Sequence, residues 1–249
     1  MSVSALLSLA GVTKSHWRGS RAIPVLRDVS FTLAAGDFAA VLGDRRMGKT
    51  TLLRIAAGVD APDAGDVLFA GRPLTGMPDA KRAELWRNEL ACVWNGSTWP
   101  TRRVLDTVTV PLLGSGITRR EARRRASDEL ARWDIGDAAG AMLHELSDAE
   151  LQRVAFAEAL VRRPRVLLAD DPTETLNLME RNHVLANLQR VVREERIAVL
   201  MSATDASGAA GINRLLVLVG NGELREAQTP QPAPVIPLPT RSQARSRDA

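Results

Sequence analysis

The chain has 249 residues, 45% of them hydrophobic and 25% charged, so it is long enough for one large α/β domain with a full core or for two small domains. It contains no apolar run of about 18 residues, and its first residues lack both a basic segment and a cleavage site, so we expect neither a membrane span nor a secretory signal. The single cysteine, Cys92, excludes an internal disulfide and agrees with a reducing compartment.

The formal net charge of +4 raises the question of a nucleic-acid or anionic-membrane partner. The arginines are spread along the chain. Their densest cluster, TRREARRRASDELARW at 118–133, interleaves acids with bases, which is typical of a solvated helix face. We therefore expect no nucleic-acid partner.

The first part of the chain predicts strands that lead into a loop and a helix. Residues 6–15 and 25–37 alternate like strands, and the second segment ends at a Gly-Asp turn. The apolar run FAAVLG at 38–43 does not alternate, which predicts a buried parallel strand. It runs into GDRRMGKT at 43–50 and then into a helix that Gly58 closes.

The segment 43–50 fits the phosphate-binding pattern G-x-x-x-x-G-K-[ST], and a strand before it and a helix after it are the context that this pattern requires. Arg45 and Arg46 fill the middle of the loop, where small residues usually let the backbone close on a phosphate chain. The predicted nucleotide-binding residues here are Gly43, Asp44, Arg45, Arg46, Met47, Gly48, Lys49, Thr50 and Thr51.

The rest of the chain predicts a parallel α/β core with a helical insertion. A small hairpin is expected near 66–73, a strand at 90–94 and an almost wholly helical stretch from 101 to 162. Further strands are expected at 165–170, 197–202 and 214–220, with a helix at 178–195 between the first two.

The domain organisation follows from these segments and from a change in composition. We expect one domain over 1–227, with a helical subdomain at about 95–162. Residues 228–249 are rich in Pro and Arg and predict a disordered extension.

A second motif that indicates chemistry is the strand RVLLAD, which ends at Asp170. An aspartate at this end of a strand can hold Mg²⁺, often through water, while Thr50 supplies a hydroxyl ligand. A lone apolar strand that ends in Asp is common in α/β proteins. Together with the phosphate loop, however, it predicts a site for ATP and Mg²⁺.

The stretch ELSDAELQRVAFAEALVRRPRVLLADDPT at 145–173 resembles the run LSGGQ-x-QRVAIARAL-x-x-x-P-x-x-LLADEPT of ATP-binding-cassette (ABC) transporter ATPases. The branch it resembles most serves lipoprotein-release, macrolide-export and cell-division type permeases. Residues 97–113, STWPTRRVLDTVTVPLL, are similar to that branch's LLP-x-LTV-x-ENV-x-x-PLL. The likeness extends over roughly residues 5 to 225.

The resemblance implies an α/β P-loop NTPase (RecA-like) core with a parallel sheet, an N-terminal antiparallel β subdomain and an α-helical signature subdomain. It also implies head-to-tail dimerisation, either with a second copy or with a different ABC ATPase, and docking on a transmembrane permease subunit. Such a chain would be cytoplasmic and peripheral on the inner face of the cell membrane.

Several positions depart from the family pattern. The catalytic glutamate is Asp171, the glutamine that senses the γ-phosphate is Asn95, and the switch histidine is Thr204. Arg46 replaces the middle glycine of the loop, and Asn177 replaces an aspartate. The signature LSGGQ has become Leu146, Ser147, Asp148, Ala149 and Glu150.

Aromatic residues of two segments have alternative interpretations. His16 stands where an adenine-stacking aromatic is usual, and Trp17 beside it could stack instead. Trp94 and Trp99 flank Asn95 and fit either a contact with a permease helix or a packing role.

The substitutions have physical costs. Asp171 is one methylene shorter than Glu, and a misplacement of about 1 Å can lower a rate roughly 10²-fold. Thr204 cannot bridge groups as an imidazole does. Asp148 places a carboxylate where backbone should approach a phosphate, and at about 5 Å with an effective dielectric near 20 the repulsion is on the order of 3 kcal/mol.

We therefore expect an ATP-binding subunit that holds Mg-nucleotide, couples to a permease and hydrolyses ATP weakly or not at all. A slow but genuine transport ATPase is one alternative, because Lys49, Thr50, Asp170 and Ser147 remain. A soluble nucleic-acid-associated ABC protein is another; the basic composition suggests it, and the permease-branch resemblance of 95–113 disfavours it.

Overall fold

The structure, a computed structural model, describes residues 5–95, 101–205 and 211–227. The strands are β1 Ala5–Arg18, β2 Arg21–Ala34, β3 Phe38–Leu42, β4 Ala64–Phe69, β5 Arg72–Pro73, β6 Leu90–Val93, β7 Val166–Ala169, β8 Ala198–Ala203, β9 Arg214–Leu218 and β10 Leu224–Ala227. The α-helices are α1 Lys49–Ala56, α2 Asp79–Asn88, α3 Val104–Thr109, α4 Arg119–Arg132, α5 Asp148–Leu160 and α6 Leu178–Glu195.

A six-stranded sheet with the order β10-β9-β3-β8-β7-β6 forms the centre of the fold. Its strands are parallel except for β10, which pairs antiparallel with β9. Every residue of β7 and β8 is buried, because helices and the second sheet cover both faces. The predicted buried strands are confirmed.

The second sheet is antiparallel, with the order β2-β1-β4-β5. Its two long strands β1 and β2 form a hairpin, and the predicted hairpin near 66–73 is β4 with β5. Buried side chains of this sheet share one core cluster with those of β3, α1 and β8. The α/β P-loop fold with an N-terminal antiparallel β unit is therefore confirmed.

The stretch between β6 and β7 is mainly helical, as predicted. Helices α3, α4 and α5 pack on one another around the second core cluster. Within it, Trp133 and Phe156 stack with their ring centroids 4.9 Å apart. Helix α5 begins at a capping box of Ser147 and Glu150, and α6 begins at a capping box of Asn177 and Glu180.

Two elements had not been predicted. Helix α2 buries one side chain, that of Leu85, so the sequence carries almost no helical periodicity there. Strand β10 has no buried residue and is held mainly by its backbone pairing with β9. Trp99 and the predicted tail 228–249 lie outside the described residues.

Within the described ranges, no helix combines the length and apolarity that crossing a membrane requires.

We predict that Phe156→Ala lowers the free energy of unfolding by about 3–5 kcal/mol, because it removes a fully buried ring that stacks on Trp133. Urea denaturation followed by circular dichroism measures the change. Met179→Ala is the matched control, since its side chain is 83% exposed. A loss below about 1 kcal/mol for Phe156→Ala would contradict the packing described.

Candidate functional site

The phosphate loop joins the end of β3 to the start of α1. Gly48 has φ of +100°, and a Cβ there would lie 2.4 Å from Cγ1 of Val25, so a glycine is required. No side chain caps the start of α1, which leaves N–H groups of its first turn available to an anion. The loop therefore has the backbone of a phosphate site.

Arg46 adopts a backbone conformation that favours glycine, with φ of +68°. Its exposed side chain has no hydrogen bond or ion pair with the described residues. The loop thus keeps the glycine-like backbone at this position, and the arginine adds a positive charge at its surface.

Lys49 is buried and held within the loop. Its Nζ donates to the carbonyl oxygen of Gly43 at 2.7 Å and more weakly to that of Asp44 at 3.4 Å. The nearest carboxylate oxygen is Oδ2 of Asp171, 3.5 Å away. The positive charge of Lys49 is therefore partly compensated by Asp171, which stands at the position of the family's catalytic glutamate.

Asp170 is fixed by two hydroxyl groups. Thr50 Oγ1 donates to its Oδ2 at 2.8 Å, and Ser202 Oγ donates to its Oδ1, also at 2.8 Å. A hydroxyl beside a buried carboxylate is a set of oxygen donors that suits Mg²⁺. Thr50 and Asp170, the two residues predicted to hold the metal, are thus neighbours in space.

Ser202 was missed by the sequence analysis. Besides donating to Asp170, its Oγ accepts from the backbone N–H of Asp171 at 2.8 Å. The available signal was a polar residue at the end of the apolar strand IAVLMS. Such a side chain is fully buried only when it has partners.

Asp171 lies in a constrained environment. Its φ is +41°, a region that non-glycine residues rarely adopt. Burial raises the pKa of its carboxyl above the usual range, and Asp170 and Glu174 add to the rise while Lys49 opposes it. Thr204 Oγ1 is 3.5 Å from Asp171 Oδ1, too far for a strong hydrogen bond.

Glu174 bridges two loops through its carboxylate. Its Oε2 accepts from Nδ2 of Asn95 at 2.7 Å, and its Oε1 accepts from the guanidinium of Arg45. Sequence reasoning missed Glu174; the only signal was an acid three residues after Asp171 in a chain with arginines in its phosphate loop. Asn95 is therefore engaged by Glu174 in this structure.

A cavity of about 180 Å³ lies at this cluster. It brings together two of the predicted catalytic positions, Asp171 and Thr204, with the bridging Glu174 and with Arg45. The lining residues are Arg45, Asp171, Thr173, Glu174, Arg181, Ala203, Thr204 and Asp205.

The two candidates for adenine stacking lie near the end of β1. His16 Nε2 is 3.1 Å from Oγ1 of Thr51 in α1, so the imidazole lies against the helix that follows the phosphate loop. Trp17 is 73% exposed. The structure brings His16, rather than Trp17, into contact with the predicted nucleotide-binding residues.

The signature residues form the start of α5. Glu150 Oε2 accepts from the backbone N–H of Ser147 at 2.9 Å and from its hydroxyl at 2.7 Å, and these bonds lower the pKa of Glu150. Leu146 and Ala149 pack against the core. Asp148 is exposed and has no hydrogen bond or ion pair with the described residues. Its carboxylate is therefore the free acid of the signature.

A comparison with known protein families matches a segment that includes the phosphate loop and Asp170. Positions 26–174 match the protein family described as ABC transporter. The chain belongs to this family. This ABC protein is 34% identical to the lipoprotein-releasing system ATP-binding protein LolD of Gluconobacter oxydans (strain 621H), over 86% of its own length and 94% of the relative. It is 35% identical to the LolD protein of Ruegeria sp. (strain TM1040), over 85% and 94% of the two chains.

Solved structures agree with this fold. A structure described as the dimeric structure of MJ0796, a bacterial ABC transporter cassette, has a TM-score of 0.83 and 26% identity, over 90% of this ABC protein and 99% of that chain. Another, of a post-hydrolysis state of the same cassette bound to ADP and Pi, gives the same values. The predicted fold class and the resemblance to ABC ATPases are confirmed.

We predict that Glu174→Gln strengthens nucleotide binding roughly two- to five-fold, because it frees Arg45 and removes a negative charge near the phosphate loop; the exposed pair is worth about 0.5–1 kcal/mol. Isothermal titration with MgADP measures the affinity. Glu84→Gln, in α2, is the control. Equal or weaker binding by Glu174→Gln would show that the bridge does not restrain the loop.

Proposed function

We propose that this chain is the ATP-binding subunit of an ABC transporter, that it binds Mg-nucleotide and couples to a membrane permease, and that it hydrolyses ATP weakly or not at all. The observation that carries the proposal is a contrast within one cluster. Lys49, Thr50 and Asp170 keep an arrangement suited to a metal-bound polyphosphate, whereas the groups around Asp171 are poorly arranged to activate water.

Nucleotide binding is supported by the phosphate loop. The uncapped start of α1 and the buried Lys49 attract a polyphosphate. Thr50 and Asp170 would hold Mg²⁺, which neutralises phosphate charge when bound. His16 or Trp17 would contact the base.

Weak hydrolysis is supported by three features. The Asp171 carboxylate lies 3.5 Å from the ammonium group of Lys49, which draws it toward the phosphate loop. Thr204 is a hydroxyl in place of an imidazole. Asn95 donates to Glu174 and is not free to orient a water molecule. The alternative of a slow transport ATPase rests on the retained Lys49, Thr50, Asp170 and Ser147.

A permease partner is supported by the relatives, which are named ATP-binding proteins of a lipoprotein-releasing system, and by a groove of about 610 Å³ between the central sheet and α5. Trp94 and Asn95 line one side, and Leu151 and Ala155 of α5 line the other. We propose that a permease segment docks here, so that its position is sensed next to Asn95. The chain would then lie on the cytoplasmic face of the membrane.

Ion pairs in α4 disfavour the nucleic-acid alternative. Arg124 contacts Glu121 at 2.9 Å and Asp128 at 2.8 Å, and Arg125 contacts Glu121 at 2.8 Å. With Arg132, which pairs with Glu129, and Arg123, which pairs with Asp106 of α3, four of the six arginines of the densest cluster are therefore held in ion pairs. We propose instead that the chain dimerises head to tail, with the phosphate loop of each subunit facing the signature of the other, as the resemblance to ABC ATPases implies; a similar cassette solved as a dimer supports dimerisation.

We predict that MgADP or MgATP at millimolar concentration raises the melting temperature, because a ligand that binds the native state stabilises it. Lys49→Ala should abolish this shift, since it removes the buried cation of the loop. Differential scanning fluorimetry measures both. A wild-type melting temperature that does not change with nucleotide would contradict the proposal. Arg46→Gly would then test whether the Arg46 side chain blocks the loop.

We predict that Asp171→Glu alone restores little hydrolysis, because Asn95 and Thr204 still leave water and γ-phosphate poorly held. Adding Asn95→Gln and Thr204→His should raise the rate beyond the combined effect of the single changes, since residues that act as a unit are non-additive. Phosphate release measures turnover, with Lys49→Ala as background. A wild-type rate of about one per second or more, lost in Lys49→Ala, would instead establish the slow-ATPase alternative.

A further inference from the structure

In both the phosphate loop and the signature, charged residues stand where the family pattern has small ones, and the charges of the two segments are opposite in sign. In the loop, the two arginines are Arg45 and Arg46; at the signature, Asp148 stands where the family pattern has a glycine. The arginines add positive charge where a phosphate would bind, whereas the carboxylate of Asp148 would repel a phosphate. Taken together, they give one face of the chain an added positive charge and another an added negative charge.

The free cation of the loop is Arg46. Arg45 is already paired with Glu174, whereas the exposed Arg46 has no hydrogen bond or ion pair with the described residues. Its backbone is held at φ of +68° between Gly43 and Gly48, whose close contacts restrict the loop. The charge of Arg46 is therefore available to a partner.

The free anion of the signature is Asp148. Its neighbour Glu150 is used in the capping box with Ser147, but Asp148 is exposed at the first residue of α5 and has no partner among the described residues. No ion pair joins Asp148 to the loop of its own chain in the part that the structure describes.

We propose that the dimer partner of this chain is a second copy of itself, and that Asp148 of each copy pairs with Arg46 of the other. This inference rests on the head-to-tail arrangement of the proposed function. In a two-fold dimer the pair forms twice. A different ATPase with the signature LSGGQ would offer a glycine to Arg46, so charge complementarity favours the second copy.

The pair changes what holds the dimer together. Asp148 repels a phosphate but attracts a guanidinium, so the contact that a nucleotide phosphate would bridge is made by side chains instead. Association therefore does not require ATP. It should weaken as salt is raised, because an exposed ion pair is screened.

Sedimentation velocity of the full chain without nucleotide tests the proposal, at low salt and over a range of concentrations. Arg46→Glu and Asp148→Arg should each weaken dimerisation about tenfold or more, because like charges then face each other twice. The double variant carrying both changes should recover an affinity within about threefold of wild type. Arg120→Glu and Asp66→Arg, at exposed positions in α4 and β4, are the matched controls.

Only a recovery of dimer affinity in the double variant supports the pair. A wild type that stays monomeric, single variants that dimerise like wild type, or a double variant that stays monomeric would each overturn it. Arg46→Gln and Asp148→Asn provide milder single changes if a reversal disturbs folding, which circular dichroism reports. The nucleotide-dependent melting shift of wild type is independent of this assay, so failure of the proposed function is distinguished from failure of the pair.

Discussion

The buried ammonium group of Lys49 is the constraint on which the rest of the site depends. A charge removed from water needs close partners, and here they are the carbonyl oxygen of Gly43 and the carboxylate of Asp171. The first fixes the shape of the loop, because Gly43 and Lys49 must stay within hydrogen-bond distance. The second draws Asp171 toward the phosphate loop. One buried charge thus organises the loop and also pairs with Asp171, the residue expected to act in catalysis.

The adjacent aspartates show how neighbours assign different roles to the same side chain. Asp170 receives a hydroxyl on each oxygen, from Thr50 and Ser202. Asp171 faces Lys49, Asp170 and Glu174 in a partly buried site, and its carboxyl is the one that holds a proton more readily. Position relative to the hydroxyl donors therefore distinguishes Asp170, the acid proposed to hold the metal, from its neighbour.

Local patterns in the sequence predicted the elements that depend on local chemistry. The helix at 178–195 was predicted to the residue, and in the structure its start carries a local capping box of Asn177 and Glu180. Helix α2 and strand β10 were missed because they bury almost nothing.

The residues of the candidate site likewise divide into those that a local motif predicted and those that were missed. The phosphate loop and Asp170 were evident from contiguous motifs. Ser202 and Glu174 were missed because their partners lie far along the chain: Ser202 contacts Asp170, and Glu174 contacts Arg45 and Asn95. Such pairs depend on the order of strands in the sheet, which residue spacing does not encode.

The close contact between Val25 and Gly48 has a consequence for the shape of the phosphate loop. Val25 also lies under Gly222, where an added Cβ would be 2.9 Å from its carbonyl oxygen, so one strand residue is enclosed by segments distant in sequence. The backbone of Arg27 continues this contact, donating to the carbonyl oxygen of Gly222 at 2.8 Å. The shape of the phosphate loop at Gly48 therefore depends on β2 of one sheet and on the turn that leads into β10 of the other, so damage to either sheet should weaken nucleotide binding.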